Sequence, residues 1–203
     1  MSIYRFIGRI WQYIKRISAV YFSALPGQYT EKKVEILKEF YFLTNSYLKN
    51  QNVDYWIAYG TLLGYHREKG ILSHDIDLDY GAPGASFESI WNNRNTLPKG
   101  LTLENWSDRH RGPKLFFSYK GFDADIYFYE EVNEELVPFL ISDIPADMEP
   151  VLRQNIYPLH EVDFLGDKTY IPENPKNYLE QCYGYIGPGA AFDKKTGYWY
   201  KVK

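Results

Sequence analysis

Apolar residues recur at helical spacing from the start of the chain, at Ile3, Phe6, Ile7, Ile10, Ile14, Ile17 and Val20, and Trp11, Tyr13, Tyr21 and Phe22 add aromatic rings. Residues 1–24 also carry Arg5, Arg9, Lys15 and Arg16 and no acid, so the pattern predicts a basic amphipathic helix. Pro26-Gly27 breaks it and marks a linker. A second stripe, Val34, Leu37, Phe40, Tyr41, Thr44, Tyr47 and Leu48, predicts a helix from Thr30 to about Asn50, with Lys32, Lys33, Glu35 and Lys38 largely on its solvent side.

The period then shortens to two. Tyr55-Trp56-Ile57-Ala58-Tyr59 reads as a short strand, and Gly60-Thr61 turns it into a short helix ending near Glu68, with Gly70 as a left-handed terminator. Ile76, Leu78 and Tyr80 alternate with aspartates, which predicts a strand over 75–80. A helix is expected over 87–94, and strands over 101–106, 114–119 and 122–129, the last two joined by a Lys120-Gly121 turn. Beyond Glu134 frequent prolines predict short helices and ordered loops, with one helix near Pro175 to Tyr183. The expectation is an α+β architecture, a mixed sheet with flanking helices. Residues 1–27 form the amphipathic helix and linker, and residues 28–203 form the domain.

Composition narrows the function classes. With 203 residues, 45% of them hydrophobic, the chain can bury one sizeable core. A formal charge of -3 gives no general drive toward nucleic acid. The single cysteine, Cys182, excludes an internal disulfide framework and a cysteine-built zinc site, and reads as a small buried hydrophobe. No apolar run reaches the roughly 18 residues that a membrane span needs. Arg9, Lys15 and Arg16 interrupt any signal-peptide core, so the expected location is cytoplasmic. The helix over 1–24 has two readings: peripheral contact with the membrane's inner face, or packing on the domain or a partner subunit. Most of the 20 tyrosines are expected in the core and on the surface, although their rings also suit sugar or base recognition.

The densest chemistry lies in His74-Asp75-Ile76-Asp77-Leu78-Asp79-Tyr80. On a strand, Asp75, Asp77 and Asp79 project one way while Ile76, Leu78 and Tyr80 project into the opposite layer. Three neighbouring carboxylates are costly unless a cation offsets their repulsion, and Mg²⁺ (or Mn²⁺) takes oxygen ligands readily. A calcium loop fits poorly, because Tyr80 and Ser86 stand where such a loop needs Gly and Glu. A glycosyltransferase-type DxD and a solvated acidic edge strand are the other readings. Upstream, Gly60-Thr61 opens a helix whose exposed N–H groups favour phosphate, and Thr61 can add a hydroxyl. Downstream, Asp123 and Asp125 share a face of the next acidic strand; Asp125 is the favoured partner, as a further metal ligand or as a base for an attacking hydroxyl. Arg109-His110-Arg111-Gly112-Pro113-Lys114 is a basic loop in which Arg111 and Lys114 either hold a substrate's phosphates or stay solvated.

Taken together, Gly60-Thr61-Leu62-Leu63-Gly64, Arg67, Gly70 and the Asp75/Asp77/Asp79 run resemble the signature of the LicD/fukutin-like phosphotransferases. Asp125-Ile126 resembles that family's later D-I strand. Pro172 to Glu180, followed by Tyr183-Gly184, resembles its C-terminal element. The likeness covers about residues 35–188. Ser73-His74 and Ile76 depart from the commonest pattern.

The resemblance implies a nucleotidyltransferase fold and transfer of a phospho-alcohol (phosphocholine, ribitol phosphate or similar) from a CDP-activated donor to a glycan hydroxyl. CMP would be released, in cell-surface polysaccharide modification. It implies Asp75, Asp77, Asp79 and Asp125 as metal ligands and catalytic residues, and Arg67 as a catalytic cation. An NTP-dependent nucleotidyltransferase and a silent scaffold of the same fold are the alternatives.

Overall fold

The computed structural model describes residues 3–21 and 28–202, with side chains from Ile10 onward; the expected Pro26-Gly27 linker lies outside the described residues. Two helices come first, α1 (Ile3–Tyr21) and α2 (Tyr29–Lys49). Strand β1 (Trp56–Ile57) leads into α3 (Tyr59–Glu68), β2 (Asp77–Pro83) and α4 (Phe87–Asn92). Strands β3 (Thr102–Asn105), β4 (Lys114–Tyr119) and the long β5 (Phe122–Val132) follow, then β6 (Glu135–Pro138), β7 (Val151–Leu152) and α5 (Arg153–Ile156). A hairpin of β8 (His160–Phe164) and β9 (Asp167–Ile171), helix α6 (Pro175–Tyr183), and a hairpin of β10 (Ala190–Phe192) and β11 (Trp199–Lys201) complete the order.

The main sheet runs β1-β2-β5-β4-β3, with β6 continuing along the far half of β5 and carrying β7. Among the described residues of this sheet only β2 and β5 pair in parallel; the other pairings are antiparallel. This is the expected α+β mixed sheet with flanking helices. One of its faces is apolar. Leu78 and Tyr80 of β2, Ala124 and Ile126 of β5, and Leu115 and Phe117 of β4 are buried there. Helix α2 covers them: Tyr47 meets Phe117 edge-on at 5.7 Å, and the Thr44 hydroxyl lies 2.6 Å from the Tyr80 hydroxyl.

The largest fully buried side chains are all aromatic, Trp56, Tyr41, Tyr47, Tyr55 and Tyr80 among them. Each removes enough apolar surface from water to contribute roughly 2–3 kcal/mol. The tyrosine excess is therefore largely a core feature, and several of its hydroxyls are anchored. Tyr47 donates to the Ile90 carbonyl at 2.5 Å and Tyr55 to Asn45 Oδ1 at 2.8 Å.

Several boundaries differ from expectation. Strand β2 starts at Asp77, because the Asp75 N–H bonds the Leu72 carbonyl at 3.1 Å and closes a turn. Ile76 consequently points outward, 47% exposed, instead of entering the opposite layer. Helix α3 ends on Lys69 in the left-handed conformation (φ 52), its ammonium 3.9 Å from the Tyr65 ring, and Gly70 does not take that role. Lys33 is buried, not solvated. The segment beyond Glu134 forms three strand pairs as well as short helices. Their mixed sequences, such as Asp163 paired with Lys168, carry little alternation to betray them.

Helix α1 packs on the domain through Gln12, Arg16 and Val20. Arg16 Nε donates to the Gly121 carbonyl at 3.1 Å and its guanidinium lies 5.1 Å from the Phe122 ring centre, while Gln12 donates to Ser118 at 3.2 Å. Val20 is wholly buried. The contact requires glycine at 121, where φ is +83 and a Cβ would sit 2.4 Å from the Arg16 nitrogen.

Candidate active site

The second face of the sheet is acidic where β2 meets β5. Their parallel register sets Asp77 beside Asp123 and Asp79 beside Asp125. Side chains of paired residues share a face, so four carboxylates form a two-by-two array. Asp75, in the turn before β2, also reaches it. A Cβ on Gly60 would lie 3.2 Å from Asp79 Oδ2 and 3.7 Å from Asp75 Oδ2, which places both acids against the same backbone.

That backbone is shaped for the contact. Tyr59 opens α3 with φ at +39, a conformation that L residues rarely adopt. The turn directs the Gly60 N–H at Asp79 Oδ2, 3.0 Å away. The Thr61 hydroxyl accepts the Asp79 N–H at 2.8 Å, and the Asp79 carbonyl accepts the Ala58 N–H at 3.0 Å. Gly60 and Thr61 thus hold Asp79 in place.

Electrostatics mark this array as a charge deficit. Burial pushes Asp77 up from 3.8 to about 6, with the charges of Asp125 and Asp75 adding to the rise. Burial, then Asp77 and Asp125, push Asp79 well above the usual carboxylate range, partly offset by the Gly60 N–H and Lys114. Burial also raises Asp75 and Asp123; the Ser118 hydroxyl, 2.5 Å from Asp123 Oδ1, opposes it at the latter.

Lys114 supplies local positive charge. It is 6% exposed; its ammonium is 2.6 Å from Asp125 Oδ1 and 3.7 Å from the Tyr127 ring centre. The two form a close ion pair at the edge of the acidic array. Two further cations come from elements outside the sheet. Arg16 of α1 acts on Asp77 and Asp123, and Lys33 of α2 acts on Asp75. Sequence reasoning missed both. Lys33 was legible, since it lies four residues before Leu37 on the buried stripe of α2; Arg16 had no signal. Tyr59 and Tyr127, ring centres 4.7 Å apart, form an aromatic wall beside the acids, with Tyr183 edge-on to Tyr59 at 6.2 Å.

Two expected site residues stand elsewhere. Arg67, at the end of α3, donates to the Ile186 carbonyl and lines a cleft of about 580 Å³ with His66, Lys176, Glu180 and Tyr185. Arg111 donates to the Pro138 carbonyl at 3.2 Å and its N–H bonds the Phe139 carbonyl at 2.9 Å, so it fastens the basic loop to the chain after β6. Each guanidinium thus donates to a backbone carbonyl. From that loop His110 approaches Lys114; its imidazole is pushed down by burial and by the lysine charge, and its Nδ1 accepts the Ile141 N–H at 3.1 Å.

The donor set is all carboxylate oxygen, which suits a hard divalent ion. Mutual repulsion among Asp77, Asp79 and Asp125 is the imbalance such an ion would relieve. In their present rotamers, no three acidic, His or Cys groups among the described residues converge on one point. Lys114 draws Asp125 aside, and Gly60 holds Asp79.

Residues 52–174 match the family described as LicD/FKTN/FKRP, nucleotidyltransferase domain. An uncharacterized protein of Rickettsia typhi (strain ATCC VR-144 / Wilmington) is 28% identical over 173 residues, 85% of this chain and 52% of its own length. Another, of Rickettsia prowazekii (strain Madrid E), is 27% identical over 178 residues, 85% of this chain and 62% of its own. The chain thus spans between half and two thirds of the curated relatives it matches. Among solved structures, that of ANT(2")-Ia in complex with adenylyl-2"-tobramycin is similar at a TM-score of 0.45 and 13% identity, covering 68% of this chain and 69% of that one.

Proposed function

The chain belongs to the LicD/FKTN/FKRP nucleotidyltransferase-domain family, and on that premise we propose that it transfers a phospho-alcohol group from a CDP-activated donor to a glycan hydroxyl, releasing CMP. The observation that carries this reading is the β2–β5 register, which gathers Asp77, Asp79, Asp123 and Asp125 beside the Gly60 amide and the buried Lys114. Such an array suits an anionic diphosphate only when a cation joins it.

Asp77 and Asp79 would hold Mg²⁺ or Mn²⁺, with Asp125 joining once it turns from Lys114 and Asp75 reinforcing the cluster. Bound there, the ion supplies neutralising charge for the diphosphate. The acceptor oxygen bonds to the phosphorus distal to cytidine, and the bond from that phosphorus to the CMP oxygen breaks. CMP departs with the electron pair, and the hydroxyl proton passes to Asp125. Lys114 faces the phosphoryl oxygens, while Arg16 and Lys33 reduce the anionic field at the mouth. Gly60 and Thr61 keep Asp79 in position. The Tyr59–Tyr127 wall offers a face for the sugar or base.

The reading is tested by incubating the protein with CDP-choline, CDP-ribitol or a set of NTPs, with and without Mg²⁺, and following CMP and pyrophosphate. Metal-dependent CMP release that disappears in Asp77→Asn supports it. Pyrophosphate release from an NTP would instead establish a nucleotidyltransferase. The catalytically silent scaffold draws its support from the unconverged carboxylates. Absence of both products, together with no metal-dependent binding of CDP in calorimetry, would establish it.

A further inference from the structure

Helix α1 has two sides with opposite chemistry, and only one of them meets the domain. Gln12, Arg16 and Val20 face inward. The outward side carries Ile10, Trp11 and Ile14, which are 42%, 58% and 48% exposed, and Tyr13 and Tyr21 beside them are exposed as well. Water normally drives such side chains inward; here Gln12 and Arg16 are half-buried against the domain beside the buried Val20, while Ile10, Trp11 and Ile14 are displayed. The sequence repeats the same apolar spacing toward the N-terminus at Ile3 and Ile7. The helix is 19 residues long, and no helix among the described residues is long and apolar enough to cross a membrane.

We infer that this outward face docks on the surface of an anionic phospholipid bilayer, with α1 lying in the interfacial plane. Three features select that occupant. Residues 1–24 hold no acid and, besides the inward Arg16, carry Arg5, Arg9 and the exposed Lys15, whose ammonium lies 5.9 Å from the Trp11 ring centre, so the helix complements anionic headgroups. Trp11, Tyr13 and Tyr21 flank the aliphatic stripe, and such rings favour the headgroup boundary. A second copy fits poorly. It would set like charges together, and a stripe about 28 Å long and roughly 10 Å wide offers far less than the ~800 Å² per partner of a stable protein interface.

The placement has a consequence for the active-site face. From α1, Gln12 bonds Ser118, and Ser118 bonds Asp123, so the acidic array begins directly behind the helix. Docking sets that array within about one helix diameter of the headgroups. The inference stands on the packing of α1 and is independent of the proposed chemistry.

Flotation tests it, using the full chain with vesicles of mixed phosphatidylcholine and phosphatidylglycerol, or of phosphatidylcholine alone. The wild type is expected to float with the mixed vesicles, weakly with the neutral ones, and less at high salt. Ile10→Glu/Ile14→Glu is expected to lower partitioning at least about a hundredfold. Both side chains are solvent-facing, so the variant's thermal unfolding should match the wild type. Failure of the wild type to float with mixed vesicles, or equal flotation of the folded variant, would overturn the inference. So would a wild-type dimer in light scattering that the double substitution dissociates while flotation is absent from both.

Discussion

Replacing Asp77 by Asn should stabilise the metal-free protein at neutral pH while abolishing activity. The Asp77 carboxyl rises from 3.8 to about 6 on folding, through burial first and then through Asp125 and Asp75. The folded state therefore binds this proton more tightly than the unfolded chain does. Its contribution is fully present below about pH 4 and is lost as pH climbs through 6. The difference corresponds to about 3 kcal/mol, and partial solvent access reduces it to about 2–3 kcal/mol at pH 7. Asn keeps the shape and cannot ionise, so the variant avoids the loss. For a chain of this length the gain is roughly 5–10 °C in Tm.

Urea unfolding followed by circular dichroism, with chelator, at pH 7 and pH 4, measures it. The variant's advantage should be large at pH 7 and fall to about 0.6 kcal/mol at pH 4, where wild-type Asp77 is protonated when folded and roughly 40% protonated when unfolded. Excess Mg²⁺ at pH 7 should raise the wild type toward the variant. An Asp77→Asn variant no more stable than the wild type at pH 7, or an advantage of equal size at both pH values, would refute the electrostatic reasoning.

Other consequences follow from particular contacts. Lys114→Met removes the buried cation beside Asp125, and the proposed release of CMP should slow by about a hundredfold, read by single-turnover assay. Asn45→Ala deprives the Tyr55 and Thr169 hydroxyls of their shared acceptor and Asp167 of a donor, which should cost about 2–4 kcal/mol in urea unfolding. Gly121→Ala drives a Cβ into the backbone of α1 at Arg16; it should destabilise by about 1–3 kcal/mol and speed tryptic cleavage at Lys15 and Arg16.

Much of this molecule was legible along the chain, for reasons that differ from element to element. Helix α6 and strand β4 coincide with their expected spans because each has strong local periodicity and clear ends. The strand carrying Asp77 and Asp79 was readable from alternation, and Asp125 from its apolar neighbours. Lys33 went astray because a lysine was assigned by charge and not by its place on the stripe. Sequence could not show that Arg67 and Arg111 bond the Ile186 and Pro138 carbonyls, because those contacts join distant segments.

What the sequence determined by itself, then, is what repeats over a few residues: the amphipathic character of α1, the acid alternation of β2 and β5, and the family signature. Only the tertiary structure decided that β2 and β5 pair in parallel with Asp79 beside Asp125, that Gly60 restrains Asp79, and that α1 turns Gln12, Arg16 and Val20 inward. Periodicity arises from backbone geometry within a segment. Register and orientation arise from the competition among distant surfaces for contact, and segment-level patterns are nearly silent about that competition.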